Sequence, residues 1–90
     1  MIEVSKQDES TYDVTVSATG TTRHRVTLSP DYHNKLTGGT VAPETLIQRS
    51  FEFLLERESN SAILAEFELP VIGSYFPEYE AEIRKRLKDN

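Results

Sequence analysis

Two histidines, two sets of closely spaced glutamates and a strand carrying two arginines are the residues of this chain whose types and spacing bear on chemistry. His24 and His33 are nine residues apart, and a metal would need both to converge with a carboxylate such as Asp31. One falls on a strand and the other on a short helix, so the expectation is a partly buried His24, a solvated His33 and no metal. Glu66 and Glu68 flank Phe67, while Glu78 and Glu80 flank Tyr79 with Glu82 following. Paired carboxylates act as acid and base only when one is desolvated in a cleft, and charge runs are ordinarily solvated faces. No serine sits in G-x-S-x-G, and Gly38-Gly39 lacks the Lys and Ser or Thr of a phosphate loop. Cysteine is absent, which removes thiol nucleophiles, thiolate metal sites and disulfides. These residues predict no enzyme, no cofactor and no metal.

The arginines lie in Thr22 to Leu28, TRHRVTL, which is followed by SP, a short helix, a break, and the run PETLIQRSFEFLLER. Over residues 22–57 this order resembles the ribbon-helix-helix DNA-binding regulators and, more loosely, antitoxin-type regulators. The resemblance implies an obligate dimer in which paired strands enter the major groove. It would make Arg23, Arg25 and Thr27 base-facing, His24, Val26 and Leu28 core-facing, and the Pro43 end of the long helix a phosphate anchor. As a whole the chain also resembles short uncharacterised prokaryotic proteins that carry FEFLLERE followed by a YFPEYE-like segment. Read from the residues alone, Arg23 and Arg25 are the solvent side of a hairpin facing Asp13, Thr15 and Ser17, where opposite charges pair across strands.

Net charge weighs against nucleic acid as the main partner. The chain carries −5 overall, with −1 in residues 1–42 and −4 in residues 43–90. Affinity for phosphates rests on Lys and Arg, so DNA binding is the alternative rather than the leading expectation.

An aromatic cluster supports the leading one. Tyr75, Phe76 and Tyr79 follow Leu69, Val71 and Ile72. A ninety-residue chain with 37% apolar content has limited room to bury them all. Leu69, Val71, Ile72, Tyr75, Phe76 and Tyr79 are therefore the candidate partner-binding residues, since apolar surface left over marks an association site. The expected function is a non-catalytic interaction or regulatory module that acts as a homodimer or with another protein. No apolar run approaches the ~18 residues of a membrane span, and the N-terminal stretch is polar, so a cytoplasmic protein is expected.

The elements that must hold these residues are legible as periodicities. Ile2 and Val4, then Tyr12, Val14 and Val16, then His24, Val26 and Leu28 recur every second residue, the period of half-buried strands. Ala18 to Thr21 is a turn, which makes the second and third strands a hairpin. Ser29-Pro30 starts a brief helix, with Ser as cap and Pro at its first position. From Pro43 to Arg57 the apolar residues span roughly 200° of the helix circumference, twice the ordinary stripe of roughly 100°, so this helix needs cover on two sides. One side is assigned to the sheet. Prolines restart short helices behind it, placed at 61–68, 70–76 and 77–88. The expected fold is one α+β domain over 1–90: a small antiparallel sheet, hairpin or three strands, within 1–28, packed on the central helix 43–57 with the short C-terminal helices over it.

Overall fold

The computed structural model describes residues 1–18 and 20–88. The chain forms β1 (Ile2–Lys6), β2 (Thr11–Ser17), β3 (Thr21–Thr27), α1 (Pro30–Thr37), α2 (Pro43–Leu55), β4 (Glu66–Glu68), α3 (Val71–Tyr75) and α4 (Tyr79–Lys88). A single 3₁₀ turn, Asn60–Ala62, precedes β4. The α+β class is the one read from the periodicities.

Alternation sets the sheet. β1 pairs with β2 and β2 with β3, all antiparallel, with Val4 opposite Val14 and Val14 opposite His24. That register puts Tyr12, Val14, Val16, His24, Val26 and Leu28 on the covered face, all buried. The β1–β2 turn is closed by Asp8, whose Oδ1 accepts the Ser10 and Thr11 amides at 2.9 Å each. Those N–H groups hold the Asp8 carboxyl below its ordinary range. Thr19 of the expected β2–β3 turn lies outside the described residues.

The sheet is not confined to residues 1–28. β4 pairs parallel with β3, giving a mixed four-stranded sheet in the order β1-β2-β3-β4. The helix expected over 61–68 is therefore replaced by the 3₁₀ turn and a strand. Ile63, Leu64 and Phe67 have helical spacing, but the free edge of β3 captures Glu66–Glu68, and the burial alternation there is that of a strand. A parallel partner needs a long crossover, which α1 and α2 supply.

α1 starts on the Ser29 hydroxyl, which accepts the Tyr32 amide at 3.1 Å. It stops at Gly38, whose φ of 68° favours glycine, with Gly39 at 80° beside it. His33, expected in solvent, is half-buried, and its Nε2 donates to the Val41 carbonyl at 2.5 Å, tying α1 to the start of α2. The later helices are shorter than expected: α3 takes Pro70 as its cap rather than its first residue, and Pro77 and Glu78 form the turn before α4.

α2 lies between two covers. Phe51 meets His24 and Phe67 on the sheet, with ring centroids 5.4 and 6.0 Å away. Phe53, two residues on, meets Phe76 and Tyr79 edge-on at 5.9 and 5.4 Å. Both phenylalanines are 0% exposed. Burial of each such side chain contributes about 1.5–3 kcal/mol. Ser50 is also 0% exposed, yet its hydroxyl reaches the Leu46 carbonyl at 2.8 Å and the Tyr79 hydroxyl at 2.6 Å, so the core holds a satisfied polar pair. No helix among the described residues is long and apolar enough to cross a membrane.

Candidate interaction groove

A polar bracket fixes one wall of the site. The Asn60 side-chain amide donates to the Gly20 carbonyl at 3.0 Å and to the Thr22 hydroxyl at 3.1 Å. Thr22 Oγ1 lies 2.9 Å from His24 Nε2, and His24 Nδ1 lies 2.7 Å from the Leu64 carbonyl. A carbonyl only accepts, so Nδ1 carries the ring proton and Nε2 accepts from the Thr22 hydroxyl. His24, 4% exposed, thus holds the backbone of Leu64 against the sheet while the Leu64 side chain turns outward, 46% exposed.

β4 and α3 supply the floor and the other wall. Phe67 points inward, and Leu69 is drawn onto the sheet by its amide, which donates to the Thr27 carbonyl at 2.9 Å. Pro70 then turns the chain into α3. Ile72 is buried there, Val71 and Phe76 are half-buried, and Tyr75 is 65% exposed. Between this wall and the C-terminal end of α2 at Leu54 opens an apolar groove of about 380 Å³.

The charged residue lining the groove, Glu58, is acidic, and the strand beside it carries two more acids on its outer face, Glu68 and, across from Arg25, Glu66. None of the three belongs to an ion pair among the described residues. The nearby Arg57 is turned to the opposite flank of α2, over the ring of Phe53 and toward Glu56 and Glu78.

Of the residues expected to bind a partner, Val71, Ile72, Tyr75 and Phe76 are gathered in this groove. Leu69 and Tyr79 are elsewhere, both 0% exposed in the core and so presenting no surface to another molecule. Leu64 and Leu54 were not singled out from the sequence. The alternation Glu66-Phe67-Glu68-Leu69 was the signal that would have moved Leu64 off a helix face and onto a rim.

Arg23, Arg25 and Thr27 lie on the outer face of the sheet. Arg25 is opposite Asp13 and bonded to it at 3.1 Å, which raises the guanidinium pKa further. Counting strand residues on that face, Glu3, Asp13, Glu66 and Glu68 outnumber Arg23 and Arg25. β3 itself has both edges occupied, by β2 and β4. Among the described residues no three His, Asp or Glu side chains gather into a metal-holding group. No protein-family model, no curated protein and no solved structure matches the chain.

Proposed function

We propose that this protein is a non-catalytic protein-interaction module and that the groove beside β4 is its contact surface. The observation that carries the reading is the exposure of Leu64 and Tyr75, 46% and 65%, on the rim of an apolar groove that is also lined by the core residues Leu54, Ile63, Phe67 and Ile72. Apolar surface left in water is stabilised when a partner covers it, by about 25 cal/mol per Å². Tyrosine suits such a rim because it contributes a large ring while its hydroxyl stays wet.

The outer sheet face, with its excess of acids, lacks the phosphate-neutralising charge that a DNA contact needs.

A photo-reactive phenylalanine analogue at position 75, with the same analogue at Gln48 as the comparison, tests the proposal in the native cell. Gln48 is exposed and does not line the groove. Protein adducts at position 75 and none at 48 are expected; an adduct of twice the chain mass identifies a second copy as the partner. Absence of protein adducts at 75, or equal labelling at both positions, overturns the reading. Duplex DNA at low salt is expected to give no mobility shift, and a salt-sensitive shift lost in Arg23→Ala/Arg25→Ala would replace this function with the regulator.

A further inference from the structure

We infer that β4 accepts an extended segment of another protein as a fifth strand, with an apolar side chain seated in the groove and lysine or arginine over Glu66 and Glu68. The inference rests on the groove being a contact surface and names what occupies it.

β4 is the last strand of the sheet, paired with β3 on one side only. The Arg25 amide donates to the Ala65 carbonyl at 2.7 Å and the Leu69 amide to the Thr27 carbonyl at 2.9 Å. In a parallel ladder this alternation turns the Phe67 amide and carbonyl toward β3 and leaves those of Glu66 and Glu68 on the outer edge. That edge is a template for another strand. The groove lies below it: Phe67 faces inward as one lining residue, with Leu64 just before the strand and Tyr75 soon after it. On an added strand, the residue beside Phe67 points the same way and enters the groove, while its two neighbours point outward beside Glu66 and Glu68.

Charge selects the occupant. An antiparallel pairing of β4 with a second β4, centred on Phe67, sets Glu66 against Glu68 twice over, and like charges directly opposite are destabilising. The chain's other edge strand, β1, presents Glu3 and Ser5 on the face that would meet Glu66 and Glu68, and its Lys6 lies on the opposite face, across from Tyr12. A second copy is thus a poor fifth strand. A segment alternating basic and apolar residues places a cation beside each carboxylate; neither forms an ion pair within 4 Å among the described residues, and Arg25, the cross-strand neighbour of Glu66, is bonded to Asp13 on its other side.

Fluorescence anisotropy with the labelled peptide GVKLKVG at low salt tests this. Binding is expected, with the peptide GVELEVG weaker by about tenfold or more, since two cross-strand pairs change from attractive to repulsive. Glu66→Lys/Glu68→Lys, both exposed positions, reverses the order of the two peptides. Methylating the backbone nitrogens of GVKLKVG on alternate residues gives two forms. Strand addition abolishes binding of one form and spares the other. Failure of GVKLKVG to bind, indifference to the charge reversal, or equal behaviour of the two methylated forms overturns the inference. If position 75 still cross-links to a protein in the cell when the peptide fails, the groove remains a contact surface and only strand addition falls; if both fail, so does the function proposed above.

Discussion

The two flanks of α2 are built from neighbouring residues and end differently. On the α4 flank, Phe53 is sealed: the Arg57 guanidinium lies 3.6 Å from its ring centroid and Arg86 5.7 Å away. Glu56, Glu78 and Glu82 hold those arginines, with Arg86 to Glu56 at 2.6 Å, close enough that the Glu56 carboxyl sits below its ordinary range. On the β4–α3 flank, the adjacent Leu54 borders the open groove, and Glu58 has no arginine to meet. The cations that close one side, through aliphatic stems and cation–π contact, are absent from the other. An open flank with Glu58 on its rim and Glu66 and Glu68 on the neighbouring strand edge is what a cationic, partly apolar segment from outside would complete.

The largest break of this comparison is on the sealed side. Phe53→Ala removes a ring in contact with Phe76, Tyr79 and Arg57 and is expected to lower stability by about 3–5 kcal/mol in urea unfolding. For a domain whose whole stability is about 5–15 kcal/mol, that leaves little folded margin. A loss below about 1 kcal/mol, the scale of a surface change, would mean that the flank is not sealed.

The hydroxyl pair behind Phe53 gives the next effect, and it is asymmetric. Ser50→Ala leaves the buried Tyr79 hydroxyl without its partner, at a cost of about 1–3 kcal/mol. Tyr79→Phe leaves Ser50 bonded to the Leu46 carbonyl and costs about 1 kcal/mol, while the double variant loses less than the two losses added. Equal single losses that add would show that the two hydroxyls act independently.

Alkaline pH probes the same side more gently. Burial is the main cause that raises the Tyr79 phenol above its ordinary value of 10, and burial with the Glu80 carboxylate raises that of Tyr32. A pKa higher in the folded state means that the folded chain holds the proton more tightly. The contribution is full below pH 10 and is lost as pH rises beyond it. Tyrosinate absorbance from these two residues is expected to grow together with loss of circular dichroism, and Tyr32→Phe/Tyr79→Phe to unfold at higher pH than the parent relative to its neutral-pH stability. Ionisation of Tyr79 in a chain that is still folded would show that water reaches the sealed flank.

How far the sequence exposed this difference depends on the range of the forces involved. β1, β2 and β3 were readable because a period of two is local, and the double-sided α2 because its apolar residues spread too far round the helix for one cover. β4 was not readable in the same way: three residues with one phenylalanine among glutamates pair only because β3, forty residues earlier, has a free edge. The same long-range pairing decided the site. Val71, Ile72, Tyr75 and Phe76 read as an apolar cluster, but helical spacing places Tyr79 equally well with Phe76 on a surface or with Ile83 in a core, and its hydroxyl bond to Ser50 draws it inward. Leu64 went the other way because His24 holds its backbone carbonyl, a contact between residues forty apart.

The smallest effect on stability is the sharpest test of the open flank. Tyr75→Ser and Leu64→Ser remove the two large apolar side chains of the groove that are exposed, 65% and 46% accessible. Each is expected to change urea stability by no more than about 0.5 kcal/mol, since neither leaves a cavity or an unpaired buried group. The same variants are expected to weaken GVKLKVG binding severalfold, because the ring and the isobutyl group cover the inserted apolar residue only in the complex. A side chain that served the core would show the opposite division, a large stability loss with binding following it. If Tyr75→Ser destabilises the chain by as much as Ser50→Ala does, the ring belongs to the fold, and the two flanks of α2 differ in shape alone.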